Sequence, residues 1–233
     1  MKILRTIINI VLISIIAVCA YKIYDKSAEY KKADESYAQI RLEKENENNN
    51  NLYNKYEDYR GWIKVDNTNI DYPIVQGKDN SFYLDKDINK NYVSSGSIFM
   101  NYLNHGFNDE NTVLFGHHMR NKTMFAQLKK YKEKEFFYGD NDIVIEVEND
   151  KVLKYKVLKY KVFSAYVTDS KDNYIKTNFD DKDQYKEFLE DIKNKSQYKS
   201  DIDVNENDKI ITLSTCSYEF NDARMVVHGK LLK

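Results

Sequence analysis

A mainly β globular domain carried behind an N-terminal helical segment is what the 233 residues predict. Three observations point there: many short β-like runs from Gly61 onward, only two stretches of helical spacing among them, and one predominantly apolar stretch near the amino terminus. Many short strands with few helices read as a barrel or a sandwich. Composition narrows the class further. The 36 basic and 37 acidic side chains leave a net charge of −1, so no global charge draws the chain onto nucleic acid. One proline, 7 glycines, 20 tyrosines and 11 phenylalanines exclude a collagenous or Pro/Gly-rich disordered chain and supply an aromatic core. The two cysteines, Cys19 and Cys216, lie too far apart in sequence for any Cys-x-x-Cys motif and are too few for a disulfide framework.

The apolar stretch, Thr6 to Tyr24, reads TIINIVLISIIAVCAYKIY with a single charge at Lys22. That approaches the roughly 20 residues a helix needs to cross about 30 Å of hydrocarbon. Isoleucine and valine lie all round such a helix, which argues against one lying flat on a membrane. A cleaved signal peptide, with Val18-Cys19-Ala20 as its small-residue site, competes with the preferred reading of a retained anchor. Lipidation of Cys19 is disfavoured by the Ile16-Ala17-Val18 before it, leaving that thiol as a small apolar filler. Basic residues flank both ends, Lys2 and Arg5 before the span, Lys22 and Lys26 after it. With so few residues in front, the simpler topology has residues 1–5 as a cytoplasmic tail, 6–24 as the transmembrane anchor and the remainder extracytoplasmic.

Residues 25–55 are rich in Lys, Glu and Asn, with Tyr30, Tyr37, Ile40 and Leu42 thinly spaced and a polar run at Glu45–Asn51. They predict a helical stalk broken by a flexible link, its charges a solvated face. The folded domain is then 56–233. Its expected strands are Trp62–Val65, Ile70–Val75, Ser97–Met100, Thr112–Phe115, Ile143–Val147, Val152–Val167, Lys209–Leu213 and Met225–Leu232. Two helices interrupt them. Met124, Phe125, Leu128 and Tyr131 follow a Thr123 cap, and Tyr185, Phe188, Leu189 and Ile192 form an i, i+3, i+4, i+7 stripe after Asp180–Asp183. The pentapeptide KVLKY occurs twice in succession, at Lys151–Tyr155 and Lys156–Tyr160. A five-residue repeat swaps the faces of a strand, so a bulge near Val157–Leu158 is expected to restore one inward face. Its lysines read as a solvated strand surface.

The chemistry gathers at strand ends. Cys216 closes the run Lys209-Ile-Ile-Thr-Leu-Ser-Thr-Cys, and Arg224 opens the next strand after the polar loop Ser217–Ala223. Paired as an antiparallel hairpin, the two meet at one rim. His117 follows the strand Thr112-Val-Leu-Phe and Gly116, a residue able to supply an unusual turn angle. A thiolate is a strong nucleophile favoured by nearby cations, a histidine moves the proton a leaving amine needs, and an arginine stabilises an oxyanion. Taken without further context, a lone strand cysteine is as readily structural as catalytic.

The motifs resemble those of a known family. Thr212-Leu213-Ser214-Thr215-Cys216 matches the TLxTC signature of sortases, followed at the expected distance by Arg224, and Leu114-Phe115-Gly116-His117 resembles their strand-end Gly-His. With Gly61-Trp62-Ile63, Ile70 to Gln76 and Ser97 to Met100, the stretch from about Tyr56 to the C-terminus is similar to class B sortases; the helix at Tyr185–Ile192 before the catalytic strand fits class B better than class A. The resemblance implies a closed sortase-type β-barrel with peripheral helices. It also implies a membrane-anchored cysteine transpeptidase with Cys216 as nucleophile, His117 as general acid/base and Arg224 as oxyanion stabiliser. Such an enzyme cleaves a C-terminal sorting signal of NPxTN-like or Pro-x-Thr type after threonine. A thioester intermediate then joins the protein to a peptidoglycan amine. Its partners are sorting-signal-bearing surface proteins, the wall precursor or cross-bridge amine, and the membrane. No cofactor is implied, and no acidic cluster matches the calcium site of some class A enzymes. Ser214, on the same strand face as Cys216, is a candidate for contact with the substrate backbone. His118 is read as a bystander, and His105 and His228 as surface or packing residues. A purely hydrolytic cysteine endopeptidase and a non-catalytic tethered binding domain are the rival readings.

Overall fold

The computed structural model describes residues 2–47, 49–149 and 154–232. An unbroken helix α1 spans Lys2–Glu47, followed by a short α2 at Asn49–Lys55. The strands are β1 (Tyr59–Val65), β2 (Asp71–Val75), β3 (Ile98–Met100), β4 (Asn111–Phe115), β5 (Ile143–Asn149), β6 (Lys154–Asp169), β7 (Ile210–Cys216) and β8 (Ala223–Leu231). Short α3 (Lys134–Tyr138) precedes β5, and α4 (Lys182–Asn194) lies between β6 and β7. The strands close into a barrel in the order β1-β2-β3-β4-β7-β8-β6-β5. Pairs β2–β3 and β4–β7 are parallel, the other six antiparallel. Closure leaves no free sheet edge.

Alternation along the strands divides the core in two. Ile211 and Leu213 of β7 and Met225 and Val227 of β8 point into the barrel, where they meet Ile63, Ile74, Leu114 and Ile145. Ile210 and Val226 point outward onto a second cluster built with Phe163, Tyr166 and the apolar stripe Tyr185, Phe188, Leu189 and Ile192 of α4. That helix starts where its acidic cluster predicts, the Asp181 side chain accepting from the Gln184 amide at 2.8 Å.

Three expectations change. The bulge in β6 is not at Val157–Leu158: the β5–β6 register is continuous through Tyr160, and the shift lies between Val162 and Ser164 against β8. Val157 is simply left exposed, while Leu158, Tyr160 and Val162 face inward before the bulge and Ala165 and Val167 after it. The bulge inverts the face because the outer side must there meet α4. Residues 151–153 of the repeat lie outside the described residues. Second, Phe125–Lys132 is a 3-10 helix with no side-chain cap; Thr123 instead bonds Asn121. Met124 enters it at φ 54°, because the Phe125 amide is tied back to the His117 carbonyl at 3.0 Å. Third, the 25–55 stretch is helix through Glu47 and does not stand free. Tyr37 and Ile40 are buried on the barrel, as is Leu52 of α2.

Candidate active site

The strand register brings the two ends of the predicted hairpin together. Cys216 is the last residue of β7, Arg224 the second of β8, and they are direct cross-strand partners. On the other side β4 runs parallel to β7, with Phe115 opposite Ser214, so the chain leaving β4 delivers Gly116 and His117 beside the end of β7. All three candidates, Cys216, His117 and Arg224, with Ser214, line one open cleft of about 290 Å³. The sequence pattern placed only Cys216 and Arg224 at a common rim; the parallel β4–β7 pairing is what adds His117 to it.

Gly116 serves close approach and not turn geometry. Its backbone is not left-handed, but a Cβ there would stand 2.4 Å from Ile98 Cδ1 and 2.9 Å from the Phe125 ring. The His117 Nε2 lies 2.7 Å from the carbonyl oxygen of Leu84. A carbonyl only accepts, so Nε2 carries a hydrogen and Nδ1 is the nitrogen left for proton exchange. The Arg224 guanidinium donates to the carbonyls of Asp222 and Ala223 at 3.2 and 3.1 Å. Among the described residues it has no carboxylate partner, and the Cys216 thiol has no hydrogen-bond partner. The arrangement presents an open thiol flanked by an imidazole and a permanent cation.

The groove beyond the thiol comes from the segment after β6. Tyr174 hydrogen-bonds the Ser214 hydroxyl at 3.0 Å, so Ser214 is engaged by a side chain that the sequence reading did not single out. Burial raises the Tyr174 phenol above its ordinary value, keeping it a neutral hydroxyl. Ile175, Ser170, Asn80 and Leu84 also line the cleft. These residues carry no motif: they reach the cleft from two short 3-10 turns, Phe82–Leu84 and Asn173–Ile175, and their flanking loops, whose paths only the closed barrel determines.

His118 is not a bystander. Its Nδ1 is 2.9 Å from the Cys216 carbonyl, and its ring meets that of Tyr218 edge-on at 5.0 Å. Burial lowers its pKa despite the bond to Cys216, favouring the neutral imidazole. His228 is fully buried within a relay away from the cleft. Tyr166 donates to His228 Nε2 (3.1 Å), His228 Nδ1 to Thr212 (2.9 Å), Thr212 to Asn111 (2.7 Å), and Asn111 to the Lys176 carbonyl (2.8 Å). The direction follows from the Asn111 amide, which must donate to a carbonyl and so accepts at its oxygen. The relay anchors the segment that carries Tyr174 and Ile175.

A closed eight-strand mixed barrel with this rim defines a sortase-type fold. Residues 63–232 match the family model described as the sortase domain. Sortase B of Staphylococcus aureus is 38% identical, with 100% of this chain and 98% of the relative covered. The Clostridium perfringens sortase B structure is 45% identical over 78% of this chain and 98% of its own, at a TM-score of 0.73. The Staphylococcus aureus sortase B–substrate complex is 35% identical over 88% of this chain and 99% of its own, at a TM-score of 0.77. The chain belongs to the sortase B family and is a cysteine transpeptidase by that membership.

Proposed function

We propose that Cys216 is the nucleophile, His117 the general acid and base, and Arg224 the oxyanion stabiliser. The observation that carries this reading is the cross-strand pairing of Cys216 with Arg224 beside His117 in one open cleft. The substrate is a C-terminal sorting signal of NPxTN-like or Pro-x-Thr type on a surface protein; the Staphylococcus aureus relative, solved as a substrate complex, supports a peptide-binding role for this cleft. The Cys216 thiolate attacks the carbonyl carbon of the threonine, forming a C–S bond as the carbonyl electrons move to oxygen, where Arg224 meets them. Collapse breaks the C–N bond, His117 protonates the departing amine, and a thioester remains. A peptidoglycan amine attacks the thioester, His117 takes its proton, and the Cys216 thiolate leaves. Ser214, through its bond with Tyr174, shapes the wall that holds the peptide. Residues 6–24 anchor the enzyme in the cell membrane with residues 1–5 cytoplasmic and the barrel outside; the one helix long and apolar enough to cross a bilayer among the described residues supports this.

Mass analysis of a sorting-signal peptide panel, with and without added wall amines, tests the proposal. The expected product joins the threonine carbonyl to the amine, and Cys216→Ala yields none while keeping its melting temperature. Hydrolysis alone with every amine tried overturns transpeptidation at this site, and unchanged turnover by Cys216→Ala removes Cys216 from the mechanism.

A further inference from the structure

The unbroken α1 ties the barrel to the bilayer in a fixed pose. Four docking points occupy its outer half. Ser36 donates to Asp87 at 3.0 Å, Tyr37 bonds Ser97 at 3.2 Å, and Arg41 donates to the Asp71 carbonyl at 3.0 Å. Lys44 pairs with Glu146 at 3.0 Å while lying 4.6 Å from the Trp62 ring centroid. Contacts from residue 36 to residue 44 cover about 12 Å of helix axis at about 1.5 Å per residue, enough to fix both tilt and rotation.

Two barrel loops reach further down the same helix, toward the apolar run that ends at Tyr24. The segment after Asp87 carries Tyr92, 61% exposed. The Asn91 amide, next to Tyr92, donates at 2.9 Å to the Asp87 carboxylate that Ser36 of α1 also holds, and Tyr92 faces on toward Lys26, whose ammonium pKa it helps raise behind the larger contribution of the Lys26–Glu29 hydrogen bond. Lys26 is two residues past Tyr24, a rise of about 3 Å, whereas a headgroup layer is about 5–7 Å deep on each side. The second loop follows His117. Its Asn121 shares a groove with Ser27, Tyr30, Lys31 and Asp34 of α1. Arg120 and Lys122 flank Asn121, both exposed and, among the described residues, without a carboxylate partner. Of the α1 lysines at this level, Lys26 pairs with Glu29 at 2.5 Å and Lys31 with Glu35 at 3.7 Å. Asp34 and Glu35 are the carboxylates that line that groove, and Glu35 is the one paired with Lys31.

We propose that the barrel rests on the bilayer through a second contact, a rim of Tyr92, Arg120 and Lys122 that binds anionic lipid headgroups and holds the cleft at the membrane surface. An amphipathic ring at headgroup depth and unpaired cations beside it are the chemistry that an anionic interface selects. The loop that bears the rim cations also bears His117, so lipid contact and cleft share one segment. The proposal rests on the reading of α1 as a retained anchor.

Depth-dependent fluorescence quenching tests it. Full-length protein carrying Ile13→Trp, Tyr92→Trp or Val157→Trp is placed in vesicles of phosphatidylcholine and phosphatidylglycerol with acyl chains brominated near the headgroup or near the chain end. Trp62, buried at the level of Lys44, is a background common to all three. Val157 pairs with Glu146 and so sits at that same distant level. Ile13→Trp is expected to be quenched most by chain-end bromine. Tyr92→Trp should be quenched by headgroup-proximal bromine at least twofold more than Val157→Trp. The combined Arg120→Glu and Lys122→Glu substitution should abolish that excess while leaving peptide turnover in detergent unchanged. Tyr92→Trp matching Val157→Trp, with Ile13→Trp quenched, overturns the rim and leaves the anchor standing. An unquenched Ile13→Trp overturns both.

Discussion

The Nδ1 of His118 donates to the main-chain carbonyl of Cys216 at 2.9 Å, which joins the loop carrying one proposed catalytic residue to the strand end carrying another. His118 follows His117 directly, so this single bond ties the His117 loop to the end of β7. Tyr218 closes the arrangement by donating to the His118 carbonyl at 3.2 Å. Through these two bonds His118 is expected to position its neighbours without touching substrate. His118→Ala leaves a half-buried carbonyl unsatisfied, a loss of about 1–3 kcal/mol, and should lower kcat about tenfold with little change in KM. His118→Asn restores an N–H donor and should recover most of kcat. Equal defects in both variants would show that ring packing, and not the hydrogen bond, sets the rate.

Arg224 tests a different property, the shape of the cation. Its bonds run only to the backbone of its own turn, at 3.1 and 3.2 Å, and it is not part of a structural ion pair among the described residues. Lysine retains the charge but loses the planar fork. Arg224→Lys should therefore reduce kcat/KM by about 10²–10³-fold, with Tm moving by no more than about 2 °C. Wild-type turnover in that variant would place the oxyanion away from residue 224.

Strand positions and the Cys216–Arg224 pairing were legible because period-two alternation and one short polar loop constrain a hairpin almost completely. The class B resemblance supplied closure, which no local pattern contains. What escaped reading depends on long-range contact. The inversion of β6 at Phe163 exists only because α4 packs outside it, and the 3-10 form of Phe125–Lys132 follows from the bond between Phe125 and His117. Tyr174 and His118 gain their roles from partners 40 and 98 residues away. Their neighbours in sequence hold no trace of that.

The buried His228 gives stability a defined pH dependence. Burial lowers its pKa to about 3 from 6.5, with Lys195 adding repulsion and Asp172 partly opposing it. Between those values the unfolded chain binds the extra proton, so stability is full above the unfolded pKa and declines as pH falls. The decline approaches roughly 1.4 kcal/mol per pH unit. His118, also lowered by burial, adds in the same sense, while paired carboxylates such as Glu219 contribute only at lower pH. Thermal melts between pH 7 and pH 5 therefore isolate the histidines. His228→Gln should flatten the slope of Tm against pH whatever its effect on Tm itself; an unaltered slope would assign the titration elsewhere.

Gly116 couples packing to the position of His117. Its amide donates to the Ser214 carbonyl at 3.2 Å, holding β4 to β7 one residue before the imidazole. A methyl group at this point collides first with Ile98 Cδ1 at 2.4 Å, then with the Phe125 ring at 2.9 Å. Gly116→Ala should cost about 1–3 kcal/mol by overpacking and lower turnover as His117 is displaced. Ile98→Val removes the nearer obstacle, Cδ1, at a cost of its own of about 0.5–1.5 kcal/mol. The double variant should then be more stable than the sum of the two single losses, an interaction that a thermodynamic cycle measures directly. Strict additivity would mean that the strain is taken up by the ring of Phe125, and the compensating change would then have to be made there. Loss of stability without loss of turnover would separate the packing of Gly116 from the placement of His117.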